Sequence, residues 1–185
     1  MNVNIDVSQT VLHTARLVLR PFSLQDLEDL YTYAQVEGVG EAAGWKHHES
    51  IEESQRILEM FISGRKTFAV EKDGRVIGSL GIEAYREDVF QELEMLKCRE
   101  VGYVLAKEYW GQGLMSEAVR EVLRWLFEDM KLDAVTCSHF TGNDRSRRVI
   151  EKCGFSYVRD FEYTTVLGNT EKTRGYVLYK KDWKK

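Results

Sequence analysis

A glycine-punctuated loop that runs into a long amphipathic segment constrains this chain most. Residues 109–118 read Tyr-Trp-Gly-Gln-Gly-Leu-Met-Ser-Glu-Ala, and the apolar residues that follow recur at helical spacing. At a helix start several backbone N–H groups lack a partner within the helix, and the helix dipole adds partial positive charge there. Gly111 and Gly113 leave room for a ligand to approach the main chain. The loop therefore predicts an anion site, and pyrophosphate suits it best.

Two familiar phosphate-binding motifs use such a loop, and the flanking residues argue against both. A P-loop needs a lysine and a hydroxyl residue directly after its last glycine, whereas Leu114 and Met115 follow Gly113. A dinucleotide-binding fold needs a third glycine for close contact between helix and strand, and Ser116 occupies that position. That fold also carries its loop in the first strand-to-helix turn, which this chain does not. A dinucleotide-binding oxidoreductase stays as an alternative.

The composition predicts one domain, spanning residues 1–185. The chain has 185 residues, of which 43% are hydrophobic, and this is enough for one core but short for two. No apolar run is long enough to cross a bilayer, and the polar first residues lack the pattern of a secretory signal. We therefore expect a cytoplasmic protein that does not bind membranes.

Charge and cysteine content argue against several function classes. With a formal net charge of −4, the chain lacks the broad basic surface of a nucleic-acid-binding protein. Cys98, Cys137 and Cys153 are widely spaced and form no Cys-x-x-Cys pair, so neither a disulfide framework nor a zinc site is expected. We predict three reduced thiols, no metal and no nucleic-acid partner.

The order of the periodic segments predicts a mixed α/β fold. Helix-start signals stand at Ser23 and Ser50, each followed three residues later by an acidic residue. Asp73-Gly74 and Gly168-Asn169 predict two hairpins. Helices are predicted from Ser23, over residues 51–64, after the glycine loop and over residues 144–153. Strands are predicted over residues 11–20, 67–71, 75–81, 134–140, 155–167 and 174–180, with one more ending at residue 105.

Several motifs, in order along nearly the whole chain, resemble one family. Residues 143–155 resemble the Asn-x-x-Ser…Glu-Lys-x-Gly-Phe segment of the ribosomal-protein N-terminal acetyltransferase (Rim-type) branch of the GNAT acetyltransferases. Gly113 matches the central glycine of that family's coenzyme A loop, Arg/Gln-x-x-Gly-x-Gly/Ala. Residues 16–22 and 100–105 resemble the opening and central strands of the branch. The resemblance implies the GNAT acyl-CoA N-acyltransferase fold, a mixed and predominantly antiparallel sheet flanked by helices.

The resemblance also implies a site for acetyl-CoA. Val104 and Leu105 lie on the strand that, in this family, receives the pantetheine arm and the thioester. Asn143 is expected either to hold the coenzyme arm or simply to cap the helix that follows it. The chain departs from the family at Trp110, where the family has Arg or Gln, and at Met115, where it has Gly or Ala. The pyrophosphate would bind the main chain of Gly111, Gln112, Gly113, Leu114, Met115 and Ser116.

The expected catalytic residues come from the same resemblance. Glu100 on the central strand is the candidate base, with Glu83 in reserve as a residue of the acceptor site; otherwise Glu100 is an exposed strand-edge residue. Many relatives place a tyrosine directly before Glu-Lys-x-Gly-Phe to protonate the leaving thiolate, but this chain has Ile150 there. Ser146 is therefore the candidate donor, with capping or core contact as its other interpretation. Trp45 is the candidate wall of the acceptor pocket.

Taken with the resemblance, these residues predict an N-acetyltransferase that moves an acetyl group from acetyl-CoA directly to a primary amine, without a metal or a covalent enzyme intermediate. The acceptor would be a protein N-terminal amine or a small-molecule amine. A homodimer is a further expectation. A non-catalytic module that binds acyl-CoA and reports on it is the second alternative, because the expected tyrosine is missing and the loop is altered.

Overall fold

A computed structural model describes residues 1–184 as one eight-stranded sheet with four α-helices. The strands are β1 (Leu12–His13), β2 (Val18–Pro21), β3 (Thr67–Lys72), β4 (Arg75–Glu83), β5 (Cys98–Leu105), β6 (Ala134–Phe140), β7 (Ser156–Thr164) and β8 (Thr170–Tyr179). The helices are α1 (Leu27–Ala34), α2 (Ile51–Gly64), α3 (Leu114–Glu128) and α4 (Asp144–Lys152). The strand order is β1-β2-β3-β4-β5-β6-β8-β7, and only the β5–β6 pair is parallel. The predicted mixed, mainly antiparallel α/β fold is confirmed.

The parallel pair comes apart halfway along its length. β5 pairs with β6 only from Cys98–Ala134 to Glu100–Thr136. Beyond that point β5 stays paired with β4 as far as Leu105, and β6 stays paired with β8 as far as Phe140. The sheet therefore splits into two arms. Main-chain groups that would join the arms in a continuous sheet face each other across a cleft instead.

Helices cover both faces of the sheet. Alternate strand residues point to opposite faces, so Phe68 and Val70 belong to the core under α3 whereas Ala69 belongs to the core under α1 and α2. The α3 positions predicted as an apolar face are all buried: Met115, Ala118, Val119, Val122, Leu123 and Leu126. α4 joins the α3 layer through Ile150 and Cys153. The cleft thus opens in a sheet that helices cover on both faces.

Most predicted element limits agree with the structure, but the strand predicted over residues 11–20 is wrong. This segment is a hairpin of β1 and β2, in which Leu12 pairs with Leu19. Thr14 closes the turn, because its main-chain N–H donates to the Leu17 carbonyl at 2.9 Å and its hydroxyl accepts from the Leu17 N–H at 2.9 Å. No glycine, proline or asparagine marks this turn, so the alternating pattern conceals it.

The residues that begin and end the helices are mostly as predicted. The Asp26 carboxylate accepts from the Ser23 N–H at 2.7 Å, and the Ser50 hydroxyl accepts from the Glu53 N–H at 3.3 Å. α2 ends at Gly64 as predicted, and the left-handed residue that follows it is Arg65, with φ 53°. Within residues 1–184, no helix is long and apolar enough to cross a membrane.

Candidate active site

A cavity of about 660 Å³ lies where β5 and β6 diverge. It brings together most of the residues singled out from the sequence. Gln112 and Trp45 are the exceptions, since neither lines it. The predicted residues that line it are Glu83, Glu100, Val104, Leu105, Gly111, Gly113, Leu114, Met115, Ser116, Asn143 and Ser146.

One end of the cavity is the glycine loop. Gly111 and Gly113 adopt left-handed φ values of 78° and 77°, which glycine takes without strain. Gly113 precedes the first residue of α3, and no side chain caps that helix. The first N–H groups of α3 therefore remain available at the cavity, and the loop has the geometry of an anion site.

Arg16 supports this loop from outside the cavity. Its Nη1 donates to the Gln112 carbonyl at 3.1 Å, and its Nη2 lies 2.7 Å from the Glu117 carboxylate. Gln112 turns its side chain back to the Glu108 carbonyl at 3.0 Å, so only its main chain faces the loop. Sequence reasoning placed Arg16 in the opening strand and missed this role, because 96 residues separate Arg16 from Gln112.

The β5 arm offers main-chain groups along the side of the cavity. The Ala106 N–H donates to the Ile77 carbonyl at 2.8 Å, so even-numbered β5 residues direct their main-chain groups to β4. Tyr103 and Leu105 consequently direct theirs into the cleft. The Leu105 carbonyl already accepts from Trp110 Nε1 at 2.8 Å. The groups free to meet a ligand are therefore those of Tyr103 and the Leu105 N–H, whereas Val104 offers its side chain.

Glu100 lies at the base of the cleft, in the last residue pair before the strands separate. Burial raises the pKa of its carboxyl to about 7, and the negative charge of Glu83 adds to the rise, while Ser138 and Arg86 oppose it. Among the described residues Glu100 has no ion-pair partner. Within residues 1–184, the buried Ser138 Oγ has no partner at full hydrogen-bond geometry, but it lies close enough to the Glu100 carboxylate to stabilise its ionised form.

Glu83 lies directly across from Glu100 on β4 but differs in its surroundings. Lys66 Nζ lies 2.6 Å from its carboxylate, and this ion pair holds the side chain at the edge of the cavity. A carboxylate that is already ion-paired is a poorer proton acceptor than one that is free and has a raised pKa. The geometry therefore favours Glu100 over Glu83 as a base.

Asn143 and Ser146 bring the first turn of α4 to the cavity. Asn143 Oδ1 accepts from the Ser146 N–H at 3.1 Å, which makes Asn143 the N-cap of α4. Its amide Nδ2 donates to the Ala42 carbonyl at 3.2 Å. Ser146 Oγ lies 3.0 Å from the Tyr103 hydroxyl on the opposite arm. Sequence reasoning missed Tyr103, whose position two residues before Leu105 was the one available signal.

Trp45 does not reach the cavity, in contrast to the expectation from the sequence. Its ring is partly buried among the side chains of α1 and α2 and lies 5.2 Å from the His48 ring. The Gly40 main chain fits tightly against it, since an added Cβ there would lie 2.3 Å from the indole. The large apolar ring of Trp45 is thus packed against the helices and not exposed to the cavity. At this end the aromatic lining comes from Phe140, Phe161 and Tyr163.

The two arms also touch across the cavity mouth. The Arg145 guanidinium, at the start of α4, lies 3.9 Å from the centre of the Trp110 ring in the glycine loop. Such a contact contributes about 0.5–1 kcal/mol at an exposed site. Within residues 1–184, no group of three or more His, Cys, Asp or Glu side chains is arranged to hold a metal ion.

Comparison with known proteins agrees with this geometry. The sequence profile of the acetyltransferase (GNAT) domain matches residues 16–156. The uncharacterized N-acetyltransferase YoaA of Bacillus subtilis is 27% identical over 152 residues, which cover 78% of this chain and 82% of YoaA.

Two solved structures share the fold. The ribosomal-protein-S5-alanine acetyltransferase from Vibrio fischeri superposes with a TM-score of 0.70 and 20% identity, covering 96% of this chain and 100% of that one. The microcin C7 self-immunity acetyltransferase MccE, solved with acetyl-CoA and AMP, gives a TM-score of 0.73 and 16% identity over 94% and 99% of the two chains. The cleft and the profile match over 141 residues lead to one conclusion: the chain belongs to the GNAT acetyltransferase family, and it shares its fold with a ribosomal-protein acetyltransferase.

Proposed function

We propose that this protein transfers an acetyl group from acetyl-CoA directly to a primary amine. The observation that carries the proposal is the composition of a single cavity. Within residues 1–184, one end holds the start of α3, which no side chain caps, and the base of the cleft holds Glu100, a carboxyl group without an ion-pair partner. An anion site and a base within one cavity are what acetyl transfer from a phosphorylated coenzyme to an amine requires.

The coenzyme would lie along the β5 arm. Its pyrophosphate would accept hydrogen bonds from the main chain at Gly111–Ser116, and its pantetheine arm would meet the main-chain groups of Tyr103 and Leu105. The acetyl-CoA complex of MccE, which has the same fold, supports this choice of co-substrate. Asn143 would contribute by fixing the start of α4, since both ends of its amide are already paired.

The residues at the base of the cleft suit direct transfer. The amine must be neutral to attack, so Glu100 takes its proton, either directly or through a water molecule that the neighbouring Ser138 hydroxyl also binds. The new C–N bond forms, and a main-chain N–H of Tyr103 or Leu105 stabilises the oxyanion. The C–S bond then breaks, and Ser146 donates a hydrogen bond to the departing thiolate.

The acceptor would be a protein N-terminal amine or a small-molecule amine. Phe140, Phe161 and Tyr163 line the acceptor end, so the group attached to the amine is expected to be apolar or aromatic in part. The shared fold with a ribosomal-protein acetyltransferase supports a peptide N-terminus. The paired charges of Glu83 with Lys66 and of Arg86 with Asp88 leave this end close to neutral.

Release of free thiol tests the proposal. Acetyl-CoA is mixed with the protein and a panel of peptides, polyamines, amino sugars and arylalkylamines, and CoA release is followed with a thiol reagent while mass spectrometry identifies the product. We expect release that depends on one class of amine and a product heavier by one acetyl group. Tight binding of acetyl-CoA, with no release of CoA in the presence of any of the amines, would favour the sensing module instead.

A further inference from the structure

At the position where many relatives carry the tyrosine that protonates the thiolate, this chain has no hydroxyl group. Ile150 stands there, 1% exposed and in the core beneath α3. The cavity wall nevertheless carries a tyrosine. Tyr103 comes from β5 rather than α4, and its hydroxyl lies 3.0 Å from Ser146 Oγ. Both residues line the cavity.

The two hydroxyls can exchange partners without moving a heavy atom. Tyr103 reaches two acceptors on the same residue, the Ser146 carbonyl at 3.2 Å and Ser146 Oγ at 3.0 Å. When Tyr103 donates to the carbonyl, the Ser146 proton points to Tyr103. When Tyr103 donates to Ser146 Oγ, the Ser146 proton is free to point into the cavity.

The surroundings keep the Tyr103 hydroxyl protonated. Its neighbours are Cys137 on β6 and Cys153, the residue directly after α4, both buried thiols. Burial raises the pKa of Tyr103 well above its ordinary value, and burial raises the pKa of the Cys153 thiol to about 11. The Tyr103 hydroxyl therefore stays protonated and can donate a hydrogen bond throughout the reaction; it does not act as a base.

We propose that Tyr103 is a positioning residue for acetyl transfer: by donating to Ser146 Oγ it turns the Ser146 O–H toward the departing sulfur. The proposal rests on the function proposed above. In the step itself the amine nitrogen bonds the acetyl carbon, its proton goes to Glu100, and the C–S bond electrons go to sulfur. Ser146 donates a hydrogen bond to that thiolate, which takes a proton from solvent after release. Tyr103 keeps its own proton throughout.

Removal of single hydroxyl groups tests this arrangement. We expect Tyr103→Phe to lower kcat about tenfold while KM for acetyl-CoA changes less than twofold, and Ser146→Ala to lower kcat further. Because Tyr103 acts through Ser146, the double variant should be no slower than Ser146→Ala alone. Tyr176→Phe is the control. Tyr176 is 3% exposed, and its hydroxyl forms a hydrogen bond with His139 Nε2 at 3.1 Å that the substitution removes. Tyr176 does not line the cavity, so the kcat of this variant should match that of the wild type.

A binding measurement separates this proposal from the proposed function. The affinities of CoA and desulfo-CoA are compared by calorimetry at pH 7 and at pH 10, because the fraction of CoA present as the thiolate is much larger at pH 10. Wild-type protein should prefer CoA, and the preference should fall several-fold in both Tyr103→Phe and Ser146→Ala. Unchanged kcat and unchanged preference in Tyr103→Phe, or additive losses in the double variant, would overturn the role of Tyr103. If the wild type releases no CoA from acetyl-CoA with any amine, the proposed function is overturned. The preference for CoA over desulfo-CoA still reports on the Tyr103–Ser146 hydroxyl pair in that case.

Discussion

At the scale of single residues, the chemistry depends on how β4 and β5 pair around Glu100. The register sets Glu83 opposite Glu100, and Lys66 neutralises only Glu83. In the part of the chain that the structure describes, no cation lies at ion-pair distance from Glu100, and burial raises the pKa of its carboxyl to about 7. A carboxyl group in this state accepts a proton near neutral pH far better than an ordinary glutamate, whose pKa is several units lower than that of an amine.

The pH dependence of catalysis follows from this pKa. Glu100 must be ionised to act as a base, and below its pKa the ionised fraction falls tenfold for each pH unit. We expect kcat/KM for the amine to fall with decreasing pH through an apparent pKa of about 7. Glu100→Gln should lower kcat by about 10²- to 10⁴-fold and remove this limb of the pH–rate profile. The limb that remains would report the ionisation of the amine itself. Steady-state rates between pH 5 and pH 9 measure both effects.

Glu83→Gln is the matched control for that experiment. Glu83 adds to the raised pKa of Glu100, so its removal should keep the limb but move it to lower pH. A limb near pH 7 that persists in Glu100→Gln would exclude Glu100 as the titrating base. A limb that disappears only in Glu83→Gln would exchange the roles of the two carboxylates.

The sequence identified which residue types matter better than it identified their partners. Glu100 and Ser146 were predicted as site residues, and the structure brings both to the cavity. Tyr103 and Ser146 are 43 residues apart, and their contact depends on β5 diverging from β6 and on α4 returning over the cleft. Trp45 shows the opposite failure, because an aromatic residue in a loop can turn toward the helices as readily as toward a pocket.

At the scale of elements, the glycine loop and α3 act as one unit. Gly113 carries a φ of 77°, and an added Cβ would meet only Arg16 Nη2, at 3.8 Å. Gly113→Ala should therefore fold, at a cost of about 1–2 kcal/mol for the left-handed conformation. The same methyl group would stand where phosphate oxygens approach the main chain. We expect the Kd for acetyl-CoA to rise roughly 10- to 100-fold, measured by calorimetry, since hydrogen bonds to a charged group are lost.

Gly74→Ala is the control for that substitution. Gly74 has nearly the same φ, 78°, and open space around it, but it lies in the turn between β3 and β4 and does not line the cavity. Both variants should lose similar stability in urea, and only Gly113→Ala should lose affinity. Equal Kd values in the two variants would remove the loop from the coenzyme site.

The sequence was sufficient to predict a turn wherever one residue type determines the backbone geometry. Asp73 and Gly74 have φ values of 51° and 78°, the pair of left-handed residues that a two-residue hairpin needs. The β1–β2 turn is closed by the Thr14 side chain, whose hydroxyl also donates to Glu117 at 2.6 Å. A turn that depends on a contact with a helix 103 residues away has no local signature.

At the scale of the whole molecule, the divided sheet leaves a cavity that a ligand can bridge. β5 and its loop form one wall, and β6 with α4 forms the other. The walls touch directly where Tyr103 meets Ser146 and where Arg145 packs on Trp110. The strand order and the single parallel pair could be expected from the family resemblance. The point of divergence, after Glu100 and Thr136, could not, because it depends on register between strands 36 residues apart.

Ligands that bridge the two walls should stabilise the folded protein, and the pattern among ligands separates the alternatives. At about a hundred times its Kd, a ligand adds roughly 2.7 kcal/mol, which raises Tm by about 5–10 °C for a domain of this size. We expect such a rise in thermal unfolding with acetyl-CoA and with CoA. ATP shares the adenosine and the phosphates but lacks the pantetheine arm, so it should shift Tm much less. An equal shift with ATP would mean that the glycine loop binds phosphate without help from β5. A shift with NAD alone would favour the oxidoreductase, since the nicotinamide and not the pantetheine arm would then fill the cleft.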